Sequence, residues 1–276
     1  MPFERLIRSL VNGEAGSRLS ILDRGLQFGD GLFETIAVVD GEPALWRRHL
    51  ERLSLGCEQL GIPAPDPARL EEEAREVIGD EQAAVLKIVV TRGESERGYR
   101  PPSDPQPTRI LELFSWPGPA AAPASLPLVF CRQRLGFQPG YAGLKHLNRL
   151  EQVLARREFE EGEGLMLDTE GFVVEGTLSN LFLVIRGELH TPLIDRCGVA
   201  GVVRGLVLDV ARELRRPVNV RRILPEELME AEGLFLTGSL LGIVPVDNLA
   251  GSDKAVKITH HPVMEAAARR VFTKDG

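Results

Sequence analysis

Gly164-Leu165-Met166-Leu167-Asp168-Thr169-Glu170-Gly171-Phe172-Val173-Val174-Glu175-Gly176-Thr177-Leu178-Ser179-Asn180-Leu181-Phe182-Leu183-Val184-Ile185 decides the fold class. Apolar runs at 164–168 and 172–175 are joined by the turn signal Thr169-Glu170-Gly171, and Leu181–Ile185 extends the sheet to a turn at Arg186-Gly187. Successive short strands with tight turns describe a meander and not a regular βαβ repeat. Upstream, 126–135 is strand-like, and Leu147, Leu150 and Leu154 form a helical stripe. Downstream come a helix over 200–214, a strand over 217–223, a short helix after Pro225, a strand over 233–237 and a last helix over 260–272.

The N-terminal half has the same mixture. Thr35–Val39 reads as a strand ending in the hairpin signal Asp40-Gly41. Trp46, Leu50, Leu53, Cys57 and Leu60 mark an amphipathic helix, and strands follow at 83–91 and 109–115. Pro117-Gly118-Pro119-Ala120-Ala121-Ala122-Pro123 sustains neither helix nor sheet. The expectation is an α+β chain of two domains: 1–116, a linker at 117–124, and 125–276.

Composition narrows the function classes. A net charge of -7 lacks the basic footprint that nucleic acid requires. No apolar run approaches a membrane span, and Met1-Pro2-Phe3-Glu4-Arg5 has no apolar signal core. Cys57, Cys131 and Cys197 are few and scattered, which suits a reducing cytoplasm better than a disulfide framework or a zinc site. The five histidines form no convincing metal set, and His260-His261 reads as a solvated cap region at the last helix. Phosphate-loop, dinucleotide, zincin and nucleophile-elbow motifs are missing from the sequence.

Only five of the 33 basic residues are lysines, so a lysine away from the C-terminal tail invites a chemical reading. Lys87 sits where strand alternation can simply turn it outward. Lys145 follows Gly140-Tyr141-Ala142-Gly143-Leu144, where a solvated lysine is the default and a Schiff-base lysine, which must reach its aldehyde as the neutral amine in an enclosed site, is the alternative. Glu175 ends an apolar strand, where a buried carboxylate needs a positive partner: a pyridinium, or one of the many arginines. Gly198-Val199-Ala200-Gly201-Val202-Val203 opens a helix whose free amides suit a phosphate, although Gly201 also fits an ordinary turn. Taken singly each feature is weak; together they suggest a phosphorylated aldehyde cofactor.

Asp23-Arg24-Gly25-Leu26-Gln27-Phe28-Gly29-Asp30-Gly31-Leu32-Phe33-Glu34-Thr35 resembles the opening block of the fold-type IV pyridoxal-phosphate (PLP) enzymes, a family of D-amino-acid and branched-chain aminotransferases and aminodeoxychorismate lyases. His49-Leu50-Glu51-Arg52-Leu53, Lys145–Val153, Glu175–Phe182, Val199–Arg204 and Thr237-Gly238-Ser239-Leu240 resemble its later blocks, in order, over residues 10–250. The resemblance implies a D-amino-acid-aminotransferase-like fold with PLP as cofactor. It implies that Lys145 holds the cofactor as a Schiff base and moves protons, and that Glu175 binds the pyridine nitrogen. Arg52 and the backbone of Val202, Val203 and Leu240, with the Ser239 hydroxyl, would bind the phosphate, and Asn180 belongs to the same cofactor site. Some relatives have a hydroxyl where Val203 stands, so here only a backbone contact is available.

Within the family, Gly143–Glu151 and Arg92-Gly93 through Arg97-Gly98-Tyr99 are similar to the lyase branch. That branch implies cleavage of 4-amino-4-deoxychorismate to 4-aminobenzoate and pyruvate, with D-amino-acid or branched-chain transamination as the alternative. In the D-amino-acid enzymes the counterparts of Arg97 and Tyr99 bind the substrate carboxylate from the partner subunit, which implies a homodimer with shared active sites. Thr35 is either a hydroxyl orienting lysine or substrate, or an ordinary strand threonine.

Overall fold

The computed structural model describes residues 5–250 and 261–276. The chain forms two compact units. Met1–Ala121, Leu144–Asn148 and Phe272–Asp275 make the first; Ala122–Gly143, Arg149–Val271 and Gly276 make the second.

The first unit contains β1 (Leu6–Val11), β2 (Glu14–Ala15), α1 (Arg24–Phe28), β3 (Gly31–Val39), β4 (Glu42–Pro43), α2 (Trp46–Leu60), α3 (Pro67–Ile78), β5 (Ala83–Thr91) and β6 (Thr108–Ser115). Its strands form one antiparallel sheet in the order β2-β1-β6-β5-β3-β4. The hairpin read at Asp40-Gly41 is present: Val39 pairs with Glu42, and both turn residues have φ above +50°. α3 starts as its sequence dictates, with the Asp66 carboxylate capping Ala68 N–H and Pro67 in the first turn. α2 buries Trp46, His49, Leu53, Gly56 and Cys57. Its buried face is therefore centred nearer His49 than the leucine stripe predicts, and Leu50 and Leu60 are only half-buried. Residues 272–275 belong here because Leu45 N–H donates to Thr273 O at 2.8 Å and Trp116 packs on Phe272.

The second unit contains β7 (Leu126–Leu135), α4 (Leu150–Arg156), β8 (Glu163–Asp168), β9 (Val173–Gly176), β10 (Asn180–Ile185), β11 (Glu188–Pro192), α5 (Val202–Glu213), β12 (Val218–Arg221), α6 (Pro225–Glu230), β13 (Gly233–Gly238), β14 (Gly242–Leu249) and α7 (Pro262–Ala268). Its sheet runs β12-β11-β10-β13-β14-β7-β8-β9, mixing antiparallel hairpins with parallel β11–β12, β14–β7 and β7–β8 pairs. β8 and β9 are buried at every position and β10 at all but the last, so both sheet faces are covered and the strands read as continuous apolar runs. Leu165, Leu167, Leu181 and Leu183 pack on one face with Leu234 and Leu236. On the other, Phe182 stacks flat on Phe235, with centroids 5.0 Å apart. All three cysteines are buried.

Two expectations need correction. The stripe Leu147-Leu150-Leu154 is not one helix face: Leu147 N–H donates to Gly31 O at 3.0 Å in an extended segment, and α4 begins only at Leu150. Leu150 and Leu154 are exposed. His261 is not solvated; it is buried and caps α7, its Nδ1 accepting from Val263 N–H at 3.3 Å. His260 lies outside the described residues.

Candidate active site

In the first unit, Lys145 lies beside β3. Phe33 N–H donates to Lys145 O at 2.9 Å, Leu32 and His146 form an antiparallel bridge, and Asn148 Nδ2 donates to Gly29 O at 3.0 Å. This pairing makes residues 145–147 a short edge segment on the strand that carries Phe33, Glu34 and Thr35. Lys145 Nζ stands 4.2 Å from the Phe33 ring centroid, and Leu144 beside it is buried. Thr35, two residues beyond Phe33, projects to the same strand face and is half-buried. Lys87, directly opposite Thr35 on β5, is half-buried on that same sheet face, its ammonium 3.0 Å from Glu112.

Arg52 is anchored from below. Its Nε and Nη2 donate to Glu34 Oε1 and Oε2 at 2.8 and 2.5 Å, and His49 Nδ1 lies 2.6 Å from Oε2. Burial alone would raise the Glu34 pKa, but the Arg52 guanidinium and His49 outweigh it and hold the carboxyl at about 2. Burial pushes His49 below its ordinary value, although Glu34 pulls the other way. Sequence reading named Arg52 and missed Glu34 and His49 as its supports. The available signal was an acid at an inward position, alternating with Leu32, Ile36 and Val38.

Arg97 and Tyr99 lie on the connection between β5 and β6, both exposed, with the Tyr99 ring 5.4 Å from Phe28. Arg24 contacts the backbone of that loop.

The second unit gathers Glu175, Asn180, the N-terminus of α5 and the β13–β14 turn. Glu175 is buried at the end of β9; its Oε2 accepts from Val199 N–H at 2.8 Å and lies 3.5 Å from Asn180 Nδ2. Asn180 Nδ2 also donates to Val199 O at 3.0 Å. Gly201 is the N-cap of α5 and offers no side chain, so the first-turn amides at Val202 and Val203 have no capping side chain. A Cβ on Gly201 would meet Asn180 Oδ1 at 1.9 Å, which is why a glycine stands here. Asn180 pairs with Thr237, and Ser239 and Leu240 form the turn that follows β13. The Arg204 Nε, in the first turn of α5, is buried without a hydrogen-bond partner among the described residues. Glu163, which sequence reading passed over, holds the turn after Glu175. Its Oε1 accepts from Leu178 N–H at 2.8 Å and from the Thr177 and Ser179 hydroxyls at 3.2 Å each.

Residues 31–249 match the family described as amino-transferase class IV. The chain belongs to that family. As a class IV aminotransferase-family chain it is 34% identical to the aminodeoxychorismate lyase of Vibrio harveyi, over 89% of this chain and 93% of that one. It resembles the crystal structure of 4-amino-4-deoxychorismate lyase from Pseudomonas aeruginosa with a TM-score of 0.85 and 44% identity, covering 95% and 97% of the two chains. It is also 41% identical to a protein of Thermotoga maritima described as a probable branched-chain-amino-acid aminotransferase, over 83% of this chain and 80% of that one.

Class IV enzymes are PLP-dependent, and each unit by itself offers groups of the chemistry that part of the cofactor needs. A lysine backed by an aromatic ring can take the aldehyde. A buried carboxylate at the end of β9 can hold a pyridine nitrogen protonated. Uncapped helix amides, with a buried guanidinium nitrogen left over, suit a phosphate.

Proposed function

We propose that this class IV enzyme is a PLP-dependent lyase that splits 4-amino-4-deoxychorismate into 4-aminobenzoate and pyruvate, a step towards folate. The observation that carries the reading is the 44% identity to the Pseudomonas aeruginosa lyase along 95% of the chain.

The cofactor, when bound, supplies an electron sink for the carbon next to the reacting amine. Lys145 would hold it covalently until the substrate amine displaces the lysine; the freed amine would then take the proton from the ring carbon and return one to the departing enolpyruvyl group. Thr35, on the face shared with Phe33, orients the lysine or the substrate. Glu175 keeps the pyridine nitrogen protonated, and Asn180 supports it. Arg52, the amides of Val202, Val203 and Leu240, and the Ser239 hydroxyl bind the phosphate. Arg97 clamps a substrate carboxylate, with Tyr99 beside it. We assign these two residues to the active site of a partner subunit in a homodimer; their exposure, and that of Ile21, Leu22 and Leu26, supports a second copy of the chain covering this side of the first unit. Residence in the cytoplasm and a division into 1–116 and 125–276 joined at 117–124 are part of the same reading, except that 144–148 and 272–275 belong to the first unit.

Purified protein incubated with aminodeoxychorismate tests it. Pyruvate and 4-aminobenzoate are expected in equal amounts with no keto acid added, because elimination returns the cofactor as the aldehyde. A requirement for a keto acid, or arrest with the cofactor as the amine, would establish the aminotransferase alternative that the Thermotoga maritima relative favours. Borohydride reduction followed by peptide mapping is expected to place the cofactor on Lys145; label on Lys87 would overturn the assignment.

A further inference from the structure

The loop that carries Arg97 and Tyr99 lacks regular structure of its own, yet it is fastened at several points to the 22–30 segment. Arg24 N–H donates to Gly93 O at 2.9 Å, and Ser95 N–H donates to Leu22 O at 3.3 Å. The Asp23 carboxylate accepts from the Thr91 and Thr108 hydroxyls at 2.8 Å each, tying the two strand ends that launch the loop. Gly93 is required at its start: it has φ +86°, and a Cβ there would meet Gln106 O at 1.8 Å.

The Arg24 side chain does the rest. It is buried, and its fork is divided between an anchor and the loop. Nε donates to Asp30 Oδ2 at 2.8 Å. Nη1 donates to Ser95 Oγ at 3.0 Å and Gly98 O at 3.1 Å, and Nη2 to Tyr99 O at 2.9 Å. The guanidinium lies 4.9 Å from the Phe28 ring centroid, and that ring meets Tyr99. Three hydrogen bonds from one planar group thus bracket Arg97 on both sides.

Asp30 does not depend on Arg24 alone. Arg92 grips it through Nε and Nη2 at 2.8 and 3.1 Å and also holds the carbonyls of Leu60 and Gly61 at the end of α2. Removing the Arg24 guanidinium therefore leaves Asp30 paired and α2 tied to β3, while the loop loses its bonds to the fork.

We propose that Arg24 is a positioning residue for substrate recognition, its guanidinium fixing the 95–99 loop so that Arg97 and Tyr99 present a cation and a ring to the substrate's carboxylate. This rests on the role given to Arg97 above. A lysine cannot replace it, because a single ammonium cannot reach Asp30, Ser95, Gly98 and Tyr99 in one plane.

The test compares Arg24→Gln, Arg24→Lys, Arg97→Ala and the Arg24→Gln/Arg97→Ala double variant as holoenzymes. Arg24→Gln is expected to raise KM roughly 10- to 100-fold with little loss of kcat, since the recognising groups are displaced and the chemistry is not. Amide exchange across 94–100 should accelerate at least about tenfold while exchange in β3 and α2 and the PLP affinity stay unchanged. Arg24→Lys should recover little of this. The double variant should raise KM by clearly less than the product of the two single effects, because Arg24 acts through the loop that presents Arg97. An unchanged KM with unchanged loop exchange in Arg24→Gln, or additive effects in the double variant, overturns the proposal. If Arg97→Ala raises KM and Arg24→Gln does not, the positioning role fails and the carboxylate reading stands. If Arg97→Ala leaves KM unchanged, the carboxylate reading itself fails, and the substrate role of Arg24 with it.

Discussion

Glu34 and Arg52 meet side-on, each guanidinium nitrogen facing its own carboxylate oxygen at 2.8 and 2.5 Å, with Glu34 buried and Arg52 only partly so. The pair fixes the plane of the guanidinium. Arg52→Ala should weaken PLP binding more than it slows the cofactor-saturated enzyme, because a phosphate anchor is made equally in ground and transition states. Glu34→Gln should weaken PLP binding as well, through a guanidinium no longer held in plane. Spectroscopic titration of apoprotein with PLP checks both, and normal affinity in Arg52→Ala would return that residue to a structural part.

The same pair sets a pH dependence of stability. Glu34 is held at about 2 against an ordinary value of 4.5, so the folded chain binds fewer protons there than the unfolded one. Its stabilisation is complete above about pH 4.5 and is lost as pH falls towards 2. Denaturant unfolding followed from pH 7 to pH 2 should show a steep acid limb that flattens in Glu34→Gln. At neutral pH the variant should be less stable by about 3–5 kcal/mol, the usual cost of breaking a buried pair from one side.

Glu163 predicts the opposite slope. Burial raises its pKa despite the Leu178 N–H and the Ser179 and Thr177 hydroxyls, so the folded chain holds its proton longer than the unfolded one. Its contribution is fully present below the unfolded carboxyl range and is lost as pH rises through the folded value. Glu163→Gln, which keeps an acceptor for all three donors, should gain stability relative to the parent as pH rises to 7. Glu163→Ala should lose about 1–3 kcal/mol by orphaning buried donors and should also weaken PLP binding, since the 176–179 turn follows Glu175 directly. Equal behaviour of the two variants would show that the turn holds without the carbonyl-like acceptor.

Gly201 has little room for a side chain. Gly201→Ala puts a methyl on Asn180 Oδ1, so either the Asn180 amide leaves Val199 O or the start of α5 shifts. PLP affinity should fall by at least about tenfold while the melting temperature moves only a few degrees, since the disturbance is confined to the sheet end. An unchanged affinity would remove the α5 amides from the cofactor site.

What could be read from sequence was whatever local periodicity carries. β5, β7, β8 and β10 announce themselves as apolar runs, and α2 by its stripe. β14 was invisible because Pro245 interrupts it, a residue that argues against a central strand, yet it lies between β13 and β7. α4 read too long because Leu147 is claimed by β3, a pairing over a hundred residues away in the chain that no local window reports. The candidate site divides the same way. Lys145, Glu175 and Arg52 stand in recognisable blocks, whereas Glu34, His49, Glu163 and Arg24 take their meaning from partners that only folding brings together.

The three buried cysteines have a practical side. Burial raises Cys57 and Cys131 to about 11 and Cys197 to about 12, so at neutral pH almost no thiolate is present and none is reachable. Towards maleimides and iodoacetamide the native enzyme should behave as if it had no sulfhydryl. A single cysteine introduced at an exposed position such as Glu96 would then carry a fluorophore on an otherwise silent background, and the 94–99 loop could be watched directly as ligands are added.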